Sequence, residues 1–299
     1  MLDYPALRAV AAVAQTGSFE AAARQLNVTP SAISQRIKNL ETRLGFYVIE
    51  RGNPCVATPK GDWLCRHVEQ VGLLESDLLS RLPILQPATG AQRLTLHVAV
   101  NSDSLATWFM PAAAAYAEAS GHLLHLEVDE ESQTAEWLAH GRVSAAVTSR
   151  ETPIPGCRRF ALGTMRYFAV ASPAFKARYF PDGPSAEAFS AAPALTFSRH
   201  DQLQSRWLAG VLDDAPACPS HWLPTTQGFL DASLTGMGWG MNPLAMVEEH
   251  LAAGKLVELV PGRPFDVPLF WQVNRLAADH IQPLSEAVIR AAGAVLSPG

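Results

Sequence analysis

The stretch that most restricts what this chain can fold into is Phe19-Glu-Ala-Ala-Ala-Arg-Gln-Leu-Asn-Val-Thr-Pro-Ser-Ala-Ile-Ser-Gln-Arg-Ile-Lys-Asn-Leu-Glu41. Apolar residues recur at helical spacing on both sides of a break, so it reads as two short helices with a tight joint. Ser18 offers its hydroxyl to the unpaired N–H groups that open the first helix, and Ala22, Ala23 and Leu26 form its inner face. That helix stops at Asn27, and Val28 fills the turn. Thr29 and Pro30 then restart it, a capping hydroxyl followed by proline at the first helical position, where no N–H is needed. In the second helix Ile33, Ile37, Leu40 and Leu44 step by three and four residues and are expected to point inward. Ser31, Ser34, Gln35 and Lys38 fall on the opposite face. Short or flexible hydrogen-bonding side chains there suit base edges, and a cation suits phosphate. A plain helical hairpin with a solvated outer face would share this period. The run Ser-Phe-x-x-Ala-Ala before the joint and Pro-Ser-Ala-Ile-Ser-Gln-x-Ile after it favours a helix-turn-helix.

The flanks extend the pattern. Leu7-Arg-Ala-Val-Ala-x-Val-Ala-x-Thr-Gly-Ser-Phe lies upstream, and Leu40-Glu-x-Arg-Leu-Gly45, a hairpin and Thr58-Pro-x-Gly61 lie downstream. Residues 4–65 thereby resemble the N-terminus of LysR-type transcriptional regulators, and length and element order carry the likeness more weakly to the end of the chain. The resemblance implies a winged helix-turn-helix DNA-binding domain over residues 1–58, a linker helix and hinge over 59–92, and an effector-binding domain over 93–299. It also implies double-stranded DNA as a partner and self-association through the linker helix, as a dimer or tetramer.

Charge distribution agrees with that division better than total charge does. The 299 residues carry 23 Lys/Arg against 28 Asp/Glu, which alone argues against nucleic acid. Residues 1–60 hold seven Lys/Arg and four Asp/Glu, a net of +3, which leaves −8 for the remainder. A basic head on an acidic body fits a DNA-binding domain joined to something else. No apolar run reaches membrane-spanning length and no signal peptide is expected before Met1-Leu2-Asp3-Tyr4, so the expected location is the cytoplasm, without a membrane partner. Cys55, Cys65, Cys157 and Cys218 are scattered and read as free thiols.

Along the head, Tyr4 to Gln15 forms a helix with Leu7, Val10, Ala11 and Ala14 on one face. Gly45 ends the recognition helix. Phe46 to Arg51 alternates like a strand, Gly52-Asn53-Pro54 turns, and Cys55 to Ala57 returns. Such a wing lies over the sugar-phosphate backbone, with Arg51 placed to touch it, although an exposed hairpin arginine is often merely solvated. Thr58-Pro59 opens a long helix, about 60–82, with Leu64, Val68, Val71, Leu74, Leu78 and Leu82 in a stripe. The stripe is longer than a small winged domain covers, so a second copy is the economical partner, with packing on the chain's own body as the alternative. Pro83 to Gln92 reads as a hinge.

From Leu94 strands alternate with helices, hence an α/β body. Two doubly wound lobes crossing near residues 164 and 266 fit this order. The resemblance implies the same, a two-lobe periplasmic-binding-protein-like domain with lobe one over 93–163 and 267–299, lobe two over 164–266, and the ligand between them. In open parallel sheets ligands sit beyond the carboxyl ends of strands, where helix N-termini offer N–H groups to an anion. Asn101, Ser102, Asp103 and Ser104 occupy the first such place, with the serines suited to a carboxylate and Asp103 to an amine. A capping cluster serving its own helix would look alike. Asp129-Glu-Glu-Ser-Gln-Thr134 occupies the second, placing Glu130 and Glu131 there, and a solvated acidic face is the alternative. Four carboxylates at one cleft suit a cationic small molecule. Trp108, and Phe197 beyond a lobe-two strand, could wall its aliphatic part.

Asn101-Ser-Asp-Ser-Leu-Ala-Thr-Trp108 resembles the corresponding segment of the ArgP/LysG branch of the family, and Val128-Asp-Glu-Glu131 and Tyr179-Phe-Pro-Asp-Gly183 point the same way. That branch senses lysine, arginine or histidine and switches on basic amino acid exporters, so the resemblance implies such an effector. Departures are frequent over residues 199–226, and an aromatic or organic acid is the competing effector. A solute-binding protein or enzyme sharing only the two-lobe body is the competing class. No Gly-x-Ser-x-Gly elbow or His-Glu-x-x-His motif occurs, so no catalytic set and no cofactor are expected. Gly236-Met-Gly-Trp-Gly240 lacks the preceding strand of a phosphate loop. His122 and His125 stand three apart with no helix expected beneath them, so no metal site is expected.

Overall fold

Side-chain caps decide where the N-terminal helices begin. The computed structural model describes residues 2–81, 95–129, 134–139, 141–278 and 281–298, with only the backbone described at 69, 70, 73 and 76–81. Helix α1 (Tyr4–Thr16) starts where the Asp3 carboxylate accepts from the Ala6 N–H, 3.1 Å, and ends at Gly17 in the left-handed region. Helix α2 (Phe19–Gln25) is capped by Ser18, and α3 (Pro30–Leu44) by Thr29, whose hydroxyls accept from the Ala21 and Ala32 N–H groups at 3.2 Å each. At the joint Asn27 takes φ +53°, the left-handed conformation that asparagine tolerates. Leu7, Val10 and Val13 of α1, Ala22 and Ala23 of α2, and Ile33, Ile37 and Leu40 of α3 form one core. Leu44 does not join it. As the last residue of α3, it remains 36 % exposed.

The wing is shorter than the alternation of residues 46–51 predicts. Strand β1 (Ile49–Glu50) pairs antiparallel with β2 (Val56–Ala57). Glu41 of α3 explains the late start, because its Oε1 accepts from the Val48 N–H at 2.9 Å and ties that segment to the helix. Helix α4 (Pro59–Arg81) follows, its first turn capped by the Thr58 hydroxyl on the Gly61 N–H, 3.0 Å. Its apolar stripe divides. Leu64, Cys65 and Val68 pack into the core of the head, braced by Tyr4 Oη on His67 Nε2 (3.0 Å) and by Arg8 on Glu75 (2.8 Å). Thus the first turns of the stripe pack on the chain's own head, contrary to one uniform self-pairing face. Leu74, farther along, is 51 % exposed. The Leu78 side chain, Leu82 and the expected hinge over 83–92 lie outside the described residues.

The chain divides into two units, Met1–Thr95 and Leu96–Gly299. The second begins with β3 (Thr95–Asn101), α5 (Ser102–Ser104), a π-helical stretch (Leu105–Phe109) and α6 (Met110–Ser120), wound as one continuous run. Next come β4 (Leu123–Asp129), α7 (Thr134–Ala139), β5 (Ala145–Thr148), and β6 (Cys157–Ala171). Then follow α8 (Pro173–Tyr179), α9 (Ala186–Ala191), β7 (Ala194–Thr196), α10 (Leu203–Val211), β8 (Ser220–Trp222) and α11 (Thr226–Thr235). The chain closes with β9 (Gly240–Pro243), α12 (Leu244–Ala252), β10 (Val257–Glu258), β11 (Phe265–Asn274) and α13 (Gln282–Val295).

These strands form a sheet ordered β10-β6-β11-β5-β3-β4, with β9 also on β6, and a separate parallel pair β7-β8. The two crossings of the chain are one antiparallel ribbon. Strand β11 pairs with β6 from Phe265↔Tyr167 to Asn274↔Cys157, with a break in register at Leu269/Phe270. The β6 strand begins at Cys157, before the crossing expected near residue 164, and its far half carries β9 and β10. Gln272 on β11 explains the turn at residues 152–156, since its amide accepts from the Ile154 N–H (2.8 Å) and donates to the Arg150 carbonyl (2.9 Å). One small core lies around Ala99, Leu138, Val143 and Ile154. Another gathers Val170, Leu230, Val247 and Leu256. Among the described residues no helix is long and apolar enough to cross a membrane.

Two glycines are required by close approach. Gly163 sits in β6 with φ +120°, and a Cβ there would meet the Ser297 carbonyl oxygen at 2.6 Å, where Ser297 and Thr164 exchange backbone hydrogen bonds. In the head, a Cβ on Gly61 would run into the Val48 carbonyl oxygen, which accepts from the Thr58 N–H at 3.1 Å. Gly61→Ala is expected to destabilise the head by about 1–3 kcal/mol or more, the usual cost of overpacking, because backbone must shift. Faster hydrogen exchange at the α1 and α3 amides, with the second unit unaffected, is the readout, and unchanged protection would refute it.

Candidate functional site

Two surfaces carry chemistry, one in each unit. On α3, Ser31, Gln35 and Lys38 are exposed and Ser34 is half-buried, opposite the buried Ile33, Ile37 and Leu40. Pro30 opens the helix beside them. Ser18 and Thr29 spend their hydroxyls as caps, and Thr29 Oγ1 also lies 3.0 Å from Ser31 Oγ. Gln35 donates to Asn39 Oδ1 at 2.7 Å, so the two amides hold each other on the outer face. Arg51, at the end of β1, lays its guanidinium over the Phe19 ring, 5.1 Å from the centroid, and remains exposed. Stacking fixes the side chain without consuming its donors.

In the second unit the loop after β3 meets the start of α11. Asp103 receives a hydrogen bond from Tyr167 Oη to Oδ2 at 2.7 Å, while Thr226 Oγ1 lies 2.6 Å from Oδ1 and 2.7 Å from Ser102 Oγ. One hydroxyl has one proton. The Asp103 carboxylate competes with Ser102 Oγ for it, at the shorter of the two distances. Although Asp103 keeps part of its surface open, the protein packed around it pushes its carboxyl above the ordinary value of 3.8. The hydrogen bonds from Thr226 and Tyr167 oppose that rise, and the charge of Asp201 adds to it. Asp201 is anchored by accepting from the Phe197 and Leu203 N–H groups at 2.9 and 3.0 Å. Among the described residues no cation pairs with either carboxylate.

Around this pair the other expected residues separate. Asn101 and Ser104 are buried, and the Asn101 amide atoms, Ser104 Oγ and Trp108 Nε1 have no hydrogen-bond partner among the described residues. Trp108 is 1 % exposed, edge-on to Phe109, so it is a core residue behind the loop rather than an open wall. Phe197 is half-buried and packs against Leu195, Phe229 and Ala232. Glu130 and Glu131 lie outside the described residues. Sequence reasoning missed Tyr167, Asp201 and Thr226, which stand 64 to 123 residues from Asp103 along the chain. Only the strand order joins them.

A basic reading helix with a wing, followed by a two-lobed unit gathered around buried polar groups, defines a DNA-binding regulator with its own ligand sensor. The chain belongs to the LysR family of bacterial helix-turn-helix regulators. Residues 5–62 match the family's "bacterial regulatory helix-turn-helix protein" model, and residues 89–297 match its "LysR substrate binding domain". The transcriptional regulator ArgP of Pseudomonas fluorescens is 41 % identical over 298 residues, covering 100 % of this chain and 99 % of the relative. The crystal structure of ArgP from Mycobacterium tuberculosis is 39 % identical, with a TM-score of 0.78 over 100 % of both chains. Full-length LysG from Corynebacterium glutamicum with bound effector Arg is 32 % identical, with a TM-score of 0.68 over 99 % of this chain and 100 % of that one.

The raised Asp103 carboxyl has a consequence for stability. A group whose folded value exceeds its unfolded value contributes stability at low pH, and that contribution is lost as pH rises through the folded value. Ionised Asp103 therefore costs the ligand-free protein stability at neutral pH. Asp103→Asn is expected to melt at or above the parent temperature at neutral pH. The gain should vanish towards the ordinary value of 3.8. A variant less stable than the parent at neutral pH would refute this.

Proposed function

We propose that this regulator senses a free basic amino acid, lysine or arginine, at the cleft around Asp103, and couples its binding to DNA recognition. The observation that carries the reading is the Asp103 carboxylate, desolvated by the protein around it and under the charge of Asp201, with no cation on either group among the described residues. A carboxylate so placed is costly, and a ligand with two positive centres answers both negative charges. In this reading Asp103 pairs with the α-ammonium, with Tyr167 and Thr226 holding the carboxylate in place. Ser102, Ser104 and the N–H groups that open α5 face the ligand carboxylate, and Asp201, with Glu130 or Glu131, faces the distal cation. The arginine bound to the C. glutamicum relative supports this assignment. An organic or aromatic acid would bring a further negative charge to the two carboxylates, which disfavours it. The gene target that the family resemblance implies is an amino acid exporter, with the protein acting in the cytoplasm.

On the DNA side, Gln35 with Ser31 and Ser34 reads base edges, while Lys38 and Arg51 neutralise phosphates. Leu74, exposed midway along a 23-residue helix, supports pairing of α4 with a second copy. The reading is of a sensor, not an enzyme. Closure of the lobes on ligand can change the heads only by the difference in its affinity for the two arrangements.

Calorimetry on the full-length protein is expected to detect arginine or lysine but not glutamate. Asp103→Asn should lose about 3 kcal/mol, roughly a hundredfold in affinity, as expected when one member of a buried pair is removed. No binding of any basic amino acid to the parent would refute the effector class. For DNA, Lys38→Ala should weaken all sequences and reduce the salt slope by about one, whereas Gln35→Ala should relax preference at one base pair by about 1–3 kcal/mol. Unchanged preference in a binding-site selection would remove Gln35 from the reading face.

A further inference from the structure

We infer that the outer edge of the effector unit's sheet binds a divalent metal ion of the zinc class through His97, His125 and Glu127. Strand β4 ends the strand order and its neighbour is β3. His125 and Glu127 stand two apart on β4 and so share a face, and His97 on β3 lies beside them. The imidazoles of His97 and His125 are stacked, with centroids 4.5 Å apart and planes within 18°. Glu127 Oε1 is 3.4 Å from His125 Nε2, and one ligand atom from each of the three side chains lies within 4.8 Å of the others. His125 is exposed, while His97 and Glu127 are half-buried, so the cluster is open on one side and supported on the other.

The donor set selects the ion. Two imidazole nitrogens and one carboxylate suit zinc, cobalt, nickel or copper, whereas magnesium and calcium take oxygen ligands. Bonds of about 2.0–2.2 Å around a tetrahedral ion bring donor atoms closer together than these three stand, so the stacked rings must turn apart slightly. Exposed His125 has the room to do so. Three protein ligands leave a fourth position facing solvent. Spacing along one strand gives no sign of this site, since His122 and His125 do not form it and the second imidazole comes from the strand beside it. An ion pair between protonated His125 and Glu127 would account for the same arrangement without a metal, and the experiment separates the two.

The untagged full-length chain, stripped with chelator, is titrated with Co2+ by absorption and with Zn2+ by competition against a chromogenic chelator. One ion per chain is expected, with the absorption intensity of tetrahedral cobalt and a zinc-dependent rise in melting temperature. His125→Ala and Glu127→Gln should each weaken zinc binding at least tenfold while melting like the parent without metal. Affinity should fall on acidification, because protons compete with the ion for the ligand atoms. If the parent binds no zinc at micromolar free ion, or if both variants bind it as tightly as the parent, the site is not there and the ion pair stands.

Discussion

The lobes of the effector unit hang on one antiparallel ladder. Strands β6 and β11 run beside each other for ten registered pairs, with β5, β3 and β4 continuing the sheet from one end of that ribbon and β9 and β10 pairing at the other. Its register is held by Arg166 on Asp266, a two-pronged pair at 2.8 Å between directly opposed residues, which keeps the Asp266 carboxyl below its ordinary range. The break in register at Leu269/Phe270 falls opposite Gly163, where the C-terminal segment clips onto the ribbon through Ser297. A bulge and a glycine at one level give a twisted pair of strands a place to bend. Relative motion of the lobes must pass through this level. Tyr167 stands on the same strand, four residues past Gly163, and donates to Asp103.

The site is built at a cost. Buried polar groups without partners, such as the Asn101 amide and Ser104 hydroxyl, each cost about 1–3 kcal/mol in a folded protein. They stand where β3 gives way to a helix whose second turn is π-wound, an uncommon geometry that concentrates at functional positions. Four of the six buried side-chain polar atoms without a partner among the described residues fall between Asn101 and Trp108, the other two being Trp239 Nε1 and Asn242 Oδ1. Among the described residues of the head no buried side-chain polar atom lacks a partner, and its caps are made by neighbours close in sequence.

That difference explains what could be read from the residues. Ser18, Thr29 and Gly45 announced their helix ends because capping is a local interaction, and the apolar steps of Ile33, Ile37 and Leu40 placed the buried side of α3 correctly. Leu44 failed because periodicity does not say where a core ends. Phe46 to Val48 failed because Glu41 reaches across to claim an amide, an event alternation cannot show. In the effector unit the strand and helix order was legible, and so was the loop at Asp103. Tyr167, Asp201 and Thr226 were not, since a hydroxyl or carboxylate at a helix start looks like a cap until topology brings it to another loop. The His97–His125 contact is hidden in the same way, lying across strands rather than along one.

One consequence follows from the carboxyl at Asp103 being held above its ordinary range. In the proposed binding mode a cation arriving beside it favours the ionised form, so ligand binding and protonation of this carboxyl compete. Occupancy and hydrogen-ion concentration then oppose each other, and acidification weakens capture with no change in the amount of effector present.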